Sequence, residues 1–243
     1  MEKTIEHGSF IPLYYQLEEI LKEKIESGNW SSGDKIASEH ELMKQYKVSR
    51  NTVKKALDDL VREGLLERIQ GKGTFVSKPK IEQSLTGFYS FSKVLKEKGM
   101  NPEDIIISIK EVEAKSSIAR QLDIREGEFV HELKRLRCAN GEPIIFETSY
   151  IPKSFVPDLH PEQLDQVSLY DFMEEEYGII VSKAKEIFEP VLLRDYESHY
   201  LKVEDGLPAL LLDRVAYNVE GKPVEFCRSI VRGDRCRFYT ELI

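Results

Sequence analysis

Cysteine is scarce in this chain. The three present (Cys138, Cys227 and Cys236) leave an odd count and fall at no metal-ligand spacing. That excludes a disulfide framework and a structural zinc site, and a reducing cytoplasm is the simplest setting. Long apolar runs are missing too. No stretch approaches the ~18 residues a membrane helix needs, yet 41% hydrophobic residues suffice for buried cores. The opening MEKTIEHGSF lacks the apolar segment of a secretory signal. Five histidines (His7, His40, His131, His160, His199) are scattered without ligand spacing. There is no G-x-S-x-G, no phosphate-binding loop and no carboxylate pair set apart for acid–base work. The expectation is therefore no metal, no cofactor and no catalytic set. Positive charge is also short: 35 Lys+Arg stand against 43 Asp+Glu, a net charge of −8.

What the chain does have begins at residue 35. In KIASEHELMKQYKVSRNTVKKALDDLVREGLLERIQGKGTFV, Ser38 and Glu41 form S-x-x-E ahead of Leu42 and Met43, a capping box. The short helix it opens ends near Tyr46. A second helix starts after Ser49, a good N-cap. Its apolar residues Val53, Ala56, Leu57, Leu60 and Val61 recur at i, i+3, i+4, i+7 and i+8, one face of an amphipathic helix. Arg50, Asn51, Lys54 and Lys55 occupy the other face. Gly64 stands at the helix C′ position. Leu65–Ile69, a turn through Gln70, Gly71, Lys72 and Gly73, and Thr74–Val76 make a small basic hairpin. Together these read as a winged helix-turn-helix. A preceding helix over Pro12–Ser27 buries Leu13, Leu17, Ile20, Leu21 and Ile25.

A helix of this kind fits the DNA major groove, with residues near its N-terminus at base edges. Arg50 can read guanine and Asn51 adenine, while Thr52 and Lys54 suit phosphate contacts. The wing glycines allow close approach to the sugar-phosphate rail. The plainer alternative is a helical hairpin with a solvated polar face. Charge distribution favours DNA. Residues 35–78 hold 10 basic against 6 acidic residues, and residues 79–243 hold 22 against 30. The basic footprint is local, as electrostatic recognition requires. One weakly charged reading head binds loosely, so a homodimer on two half-sites is expected.

After the wing, residues 77–84 (SKPKIEQS) read as a linker. Residues 85–243 alternate helix and strand. Helices are expected over Ser90–Lys98, Ser116–Leu122, Leu169–Tyr177 and Arg194–Leu201, and strands over Asp104–Val112 and Ile179–Glu189. Two hairpins stand out, 129–151 about Asn140-Gly141 and 207–231 about Glu220-Gly221. Residues 125–147 resemble 203–227: acidic-Gly, apolar strand, Arg135 or Arg214, an x-Gly-x-Pro turn, apolar strand. We read an internal duplication and an α+β domain around one antiparallel sheet. A pseudo-two-fold sheet leaves a cleft near its axis for a ligand.

Arg135 and Arg137 share one strand face. Buried arginines are costly unless paired, and their forks suit phosphate or carboxylate. Salt bridges to Glu147 or Glu225 are the alternative. Ser90 and Ser92 begin a helix after Phe88-Tyr89. Ser168 precedes another, with Tyr170 two residues on; helix N-termini attract anions. Each serine alone is more often a simple cap.

The chain resembles the HutC subfamily of GntR-family transcriptional regulators along essentially its whole length. The residues that carry this are Pro12-Leu-Tyr-Tyr-Gln16, Ala37-Ser-Glu-His-Glu-Leu42, Ser49-Arg-Asn-Thr-Val-Lys-Lys-Ala-Leu57, Leu60–Gly64 and Gly71-Lys-Gly-Thr-Phe-Val76. The second half resembles a UTRA effector domain, whose fold is similar to chorismate lyase, through Leu85-Thr-Gly-Phe, Gly99, Tyr150-Ile-Pro, Ser168-Leu-Tyr, Ala184, Glu186 and Arg232-Gly-Asp-Arg235. The resemblance implies a homodimer that reads a palindromic operator and responds to a small metabolite. Within the subfamily the chain looks most like repressors of amino-sugar catabolism, which respond to sugar phosphates. By matching positions, Arg50 and Gly71 would read operator bases, within an expected DNA-contact set of Ser38, Glu39, His40, Ser49, Arg50, Asn51, Thr52, Lys54, Lys55, Gly71, Lys72 and Gly73. Likewise Ser90, Arg135, Arg137, Ser168 and Tyr170 would hold the phosphate and Glu147 and Glu225 would meet hydroxyl or amino groups of the sugar, with Phe88, Tyr89 and Phe91 completing the expected effector site.

Three positions depart from that pattern. Ala37 replaces a proline. His40 stands where those repressors carry an arginine, which points to a different operator sequence or affinity. Val231 stands where they carry a tyrosine beside the ligand, which leaves other phosphorylated sugars, such as a glycosylated amine or a disaccharide phosphate, open. A regulator sensing a non-phosphorylated carboxylic acid is the runner-up, and a lyase-like enzyme a distant third.

Overall fold

The computed structural model describes residues 4–69, 71–78, 80–86, 91–164 and 167–242. The chain divides into two compact units, residues 1–79 and 80–243.

In the first unit α1 (Leu13–Glu26), α2 (Glu39–Tyr46) and α3 (Arg50–Arg62) precede β1 (Leu66–Ile69) and β2 (Gly73–Val76). The capping box opens α2. The Ser38 amide donates to Glu41 Oε2 at 2.7 Å, and the Glu41 amide donates to Ser38 Oγ at 3.4 Å. Ser49 caps α3, accepting from the Thr52 amide at 3.2 Å. The apolar stripe of α3 lies inward. Val53, Ala56, Leu57 and Leu60 are buried against Leu17, Leu21 and Leu42. β1 and β2 pair antiparallel, Leu66 opposite Val76 and Ile69 opposite Gly73. Gly73 at φ +124° is a backbone setting that side chains rarely adopt.

The second unit is built on a six-stranded antiparallel sheet: β4 (Pro102–Glu113), β5 (Phe129–Ala139), β6 (Glu142–Pro152), β7 (Val181–Leu192), β8 (Pro208–Asn218) and β9 (Pro223–Arg232). Their order is β4-β5-β6-β9-β8-β7. The expected duplication is visible in it. β4, α5 (Ser116–Leu122), β5 and β6 form one half. β7, α7 (Asp195–Leu201), β8 and β9 form the other. The halves meet at β6 and β9, where Glu147 faces Ser229 and Ile145 faces Val231.

Each sheet face is covered twice. On one face α5 packs on Val130, Val215 and Phe226, and α7 on Leu136, Phe146 and Ile230. On the other, α6 (Leu169–Tyr177) covers one end through Leu133, Ile151 and Ala216. The opposite end is closed by α4 (Phe91–Glu97) with β3 (Ile81–Ser84) and β10 (Cys236–Tyr239), over Ile145, Leu212 and Val231. Between these two apolar covers lies a polar strip of sheet.

Two expectations need correction. Residues 81–84 are not linker. They form β3, which pairs parallel with β10 from the far end of the chain, Ile81 opposite Cys236 and Ser84 opposite Tyr239. The joint is shorter. Ser77 donates to Leu65 O at 2.9 Å in the first unit, and the Lys80 Nζ donates to Gly233 O at 2.9 Å in the second. The fourth helix is described over Phe91–Glu97, so it ends one residue before the expected Lys98. Phe88, Tyr89 and Ser90 of the expected effector site, and Gln70 of the wing turn, lie outside the described residues.

Candidate functional site

On the first unit, Arg50, Asn51, Lys54 and Lys55 at the start of α3 are exposed, as are Ser38, His40, Ser49, Gly71, Lys72 and Gly73; Glu39 and Thr52 are half-buried. Several carry local duties. Arg50 Nε lies 3.3 Å from Glu39 Oε2, with 76% of its side chain exposed, and such a surface pair holds it weakly. Ser49 and Thr52 share a hydroxyl–hydroxyl bond of 2.9 Å. Lys55 is more engaged, 3.3 Å from Asp59 and 4.5 Å from the Tyr14 ring centre. The arrangement leaves Arg50, Asn51 and Lys54 exposed at the start of α3, in a unit whose wing turn carries the exposed Gly71, Lys72 and Gly73.

In the second unit the polar strip is the floor of a cleft with about 640 Å³ of empty space, counted to its open mouth. Cross-strand register explains its contents. Arg135 on β5 faces Glu147 on β6, which faces Ser229 on β9. The next row aligns Leu133, Ser149, Cys227, Arg214 and Glu186. Of the expected effector residues, Phe91, Arg135, Arg137, Glu147, Ser168, Tyr170 and Glu225 all line this cleft.

The arginines are already paired. Arg135 Nε donates to Glu147 Oε1 at 2.7 Å, its Nη2 contacts the same oxygen, and its Nη1 reaches Asp104 Oδ2 at 3.1 Å. Every nitrogen of that fork is therefore engaged. Arg137 is held more loosely, 3.3 Å from Asp104 Oδ1 and 3.7 Å from Glu147 Oε2. Its Nη2 donates to Ser92 Oγ at 3.0 Å, and its guanidinium lies 5.3 Å from the Phe91 ring centre. Burial alone would pull Arg135 down, but Glu147, Asp104 and Glu225 lift it well above the usual arginine value. Burial would raise Glu147, yet Arg135 and Arg137 hold it at about 2.

On the other half of the pseudo-two-fold, Arg214 Nε donates to Glu186 Oε1 at 2.6 Å. Tyr170 donates its hydroxyl to Glu225 Oε2 at 2.5 Å. Burial, then Glu225, raises that phenol well above its ordinary value, so it stays a donor. Each half thus supplies an arginine from its middle strand, an acid from its edge strand and a glutamate from its inner strand. These are Arg135, Asp104 and Glu147, and then Arg214, Glu186 and Glu225. Ser168 serves its helix. It accepts from the Asp171 amide at 3.2 Å and donates to Asp171 Oδ2 at 2.7 Å, at the lip of the cleft.

Sequence reasoning passed over Asp104, Ser229, Gln83, Leu212 and Phe238. It met Arg214 only as the counterpart of Arg135. The duplication was a signal for Arg214 and Glu186. Asp104 and Ser229 become visible only with the strand register. Three arginines here oppose four carboxylates (Asp104, Glu147, Glu186, Glu225), so the cleft is not a simple anion hole. Burial, then Glu147 and Glu225, pushes the Cys227 thiol well up, so it is not a thiolate nucleophile. Among the described residues no His, Cys, Asp and Glu are grouped to hold a metal, and no helix is long and apolar enough to cross a membrane.

A DNA-reading head followed by a cleft-bearing α+β unit defines a ligand-responsive DNA-binding regulator. Residues 13–76 match the model of bacterial regulatory proteins of the gntR family, and residues 97–237 match the UTRA domain. The chain belongs to the GntR family of transcriptional regulators, in the group that carries a UTRA domain. It is similar to the HTH-type transcriptional repressor NagR of Bacillus subtilis, 38% identical over 235 residues, covering 97% of this chain and 96% of that protein. It is 31% identical over 221 residues to the protein described as the probable fructoselysine utilization operon transcriptional repressor of Escherichia coli, covering 89% and 90% of the two. Among solved structures, PhnF from Mycobacterium smegmatis matches with a TM-score of 0.64 at 28% identity, covering 96% of this chain and 99% of that one. The chain is thus a transcriptional regulator that binds DNA and a small-molecule effector, and not an enzyme.

Proposed function

We propose that this protein is a cytoplasmic, homodimeric repressor of a sugar-utilisation operon, and that its effector is a phosphorylated sugar bearing hydroxyl or amino donors. The observation that carries this is the mixed charge of the cleft. An anion alone would meet Asp104 and Glu147 beside the arginines it needs. A ligand with an anionic end and a donor-rich end satisfies both sets at once. Arg137, with the longer contacts, exchanges Asp104 for the phosphate, with Ser92 and the start of α6 beside it. Glu147 and Glu225 receive sugar hydroxyl or amino groups. Arg135 remains the fixed partner of Glu147. The two relatives named as repressors, one of a fructoselysine operon, support a glycosylated substrate. At the DNA, Arg50 and Asn51 read bases, with Ser38, Glu39, His40, Ser49, Thr52, Lys54, Lys55 and the wing residues Gly71, Lys72 and Gly73 around them. Lys55, tied to Asp59 and Tyr14, contributes least.

The test is fluorescence anisotropy on DNA from upstream of the protein's own gene, at fixed salt, with sugar phosphates, their unphosphorylated parents and dicarboxylic acids. Release by a sugar phosphate and not by its parent is expected. Release by a carboxylic acid alone would replace this reading with the carboxylate one.

A further inference from the structure

We infer that Gln83 is an effector-contacting residue and the one through which occupancy of the cleft is communicated to the joint between the two units. This rests on the cleft being the effector site. Gln83 sits in β3, where inward and outward positions alternate. Ile81 and Gln83 are buried, while Glu82 is exposed. Its inward companion Ile81 packs among Phe91, Leu95, Ile145, Leu212 and Val231, surroundings that suit an aliphatic side chain. A glutamine stands there instead. It is 4% exposed, and among the described residues its Nε2 has no hydrogen-bond partner. A buried donor left unpaired is costly, and folded proteins rarely keep one without a use. The same side chain lines the cleft, with Phe91, Arg137 and Leu212. Its terminal torsion is soft, so a half-turn of the carboxamide presents the N–H donor to an entering oxygen. The ligand group it fits is an acceptor: a phosphate, hydroxyl or carbonyl oxygen.

The strand's anchoring gives this contact a consequence. β3 is held along β10, the Ile81 amide donating to Arg235 O at 2.7 Å and the Leu85 amide to Tyr239 O at 2.8 Å. Lys80, the residue before it, is bonded to Gly233. Gln83 thus lies on the first strand of the second unit, a few residues from where the chain divides into its two units. A ligand bonded there biases the position of that strand, which a ligand held only by β5 and β6 would not.

The experiment uses the full chain and Gln83→Met, which keeps length and shape but removes the donor. Thermal unfolding is measured first, in phosphate-free buffer. Melting temperature should hold or rise by about 2–4 °C; a fall of several degrees would mean the amide is paired inside the protein and would overturn the assignment. Operator release is then titrated with glucose 6-phosphate, glucosamine 6-phosphate and inorganic phosphate. The variant should bind operator like the parent but need about tenfold more of the releasing compound. An unchanged midpoint sinks the proposal. If none of the three releases the parent protein, the sugar-phosphate reading fails, and the melting result decides the role of Gln83 by itself.

Discussion

Arg135 and Arg137 differ in what their removal would expose. Arg135→Ala leaves Glu147 buried without its main partner, a loss of about 3–5 kcal/mol that urea unfolding should register. Arg137→Ala breaks the longer 3.3 and 3.7 Å contacts, a serine bond and the packing on the Phe91 ring. It should cost less stability, leave operator binding intact and abolish the effector response in the anisotropy assay. Glu147 also sets an acid limit. Its folded value of about 2 lies below the ordinary 4.5, so protonation favours the unfolded chain. Its contribution is complete above about pH 4.5 and is lost as pH falls toward 2. Unfolding free energy measured from pH 5 to 2 should decline, and Glu147→Gln should flatten that decline while lowering stability at neutral pH. At this scale the sequence already pointed to seven of the cleft residues the structure describes. The alternative it left open, that the arginines pair with Glu147, is also true. A free anion site and a buried ion-pair network use the same residue types, and only side-chain distances separate them.

Helices and long strands were legible to within two or three residues, because each carries a periodic apolar face and its own cap or turn. The Ser38–Glu41 box is an example. Ser38→Ala should cost about 1 kcal/mol by loss of the cap, readable as a lower melting temperature. Arg50→Ala, on a side chain 76% exposed, should leave melting unchanged and weaken operator binding by about 1–3 kcal/mol. What escaped was β3 with β10. Four residues cannot display a period, and the partner strand lies about 150 residues away. A polar segment after a proline reads as linker until that partner is known. The misreading matters, because β3 carries Gln83 into the cleft.

Over the whole molecule, the net charge of −8 makes DNA binding depend on a local basic surface. Affinity should therefore fall with salt, with a slope set by the number of phosphate contacts. Linkage makes a stricter demand. If the effector weakens operator binding by some factor, operator must weaken effector binding by the same factor. Calorimetric titration of effector with and without operator DNA checks this, and equal affinities would refute the coupling. The amino-acid sequence by itself determined the division into two units, the capped amphipathic helix α3, the duplication and the pairing of each arginine-bearing strand with its hairpin partner. Those follow from local periodicity, caps and turns, which act over a few residues. Only the tertiary structure decided that β6 and β9 join the halves, that Asp104 and Glu147 occupy the arginines, and that the two ends of residues 80–243 close one side of the cleft. Those depend on strand register and on contacts between distant segments, which carry no signature in the local order of residues.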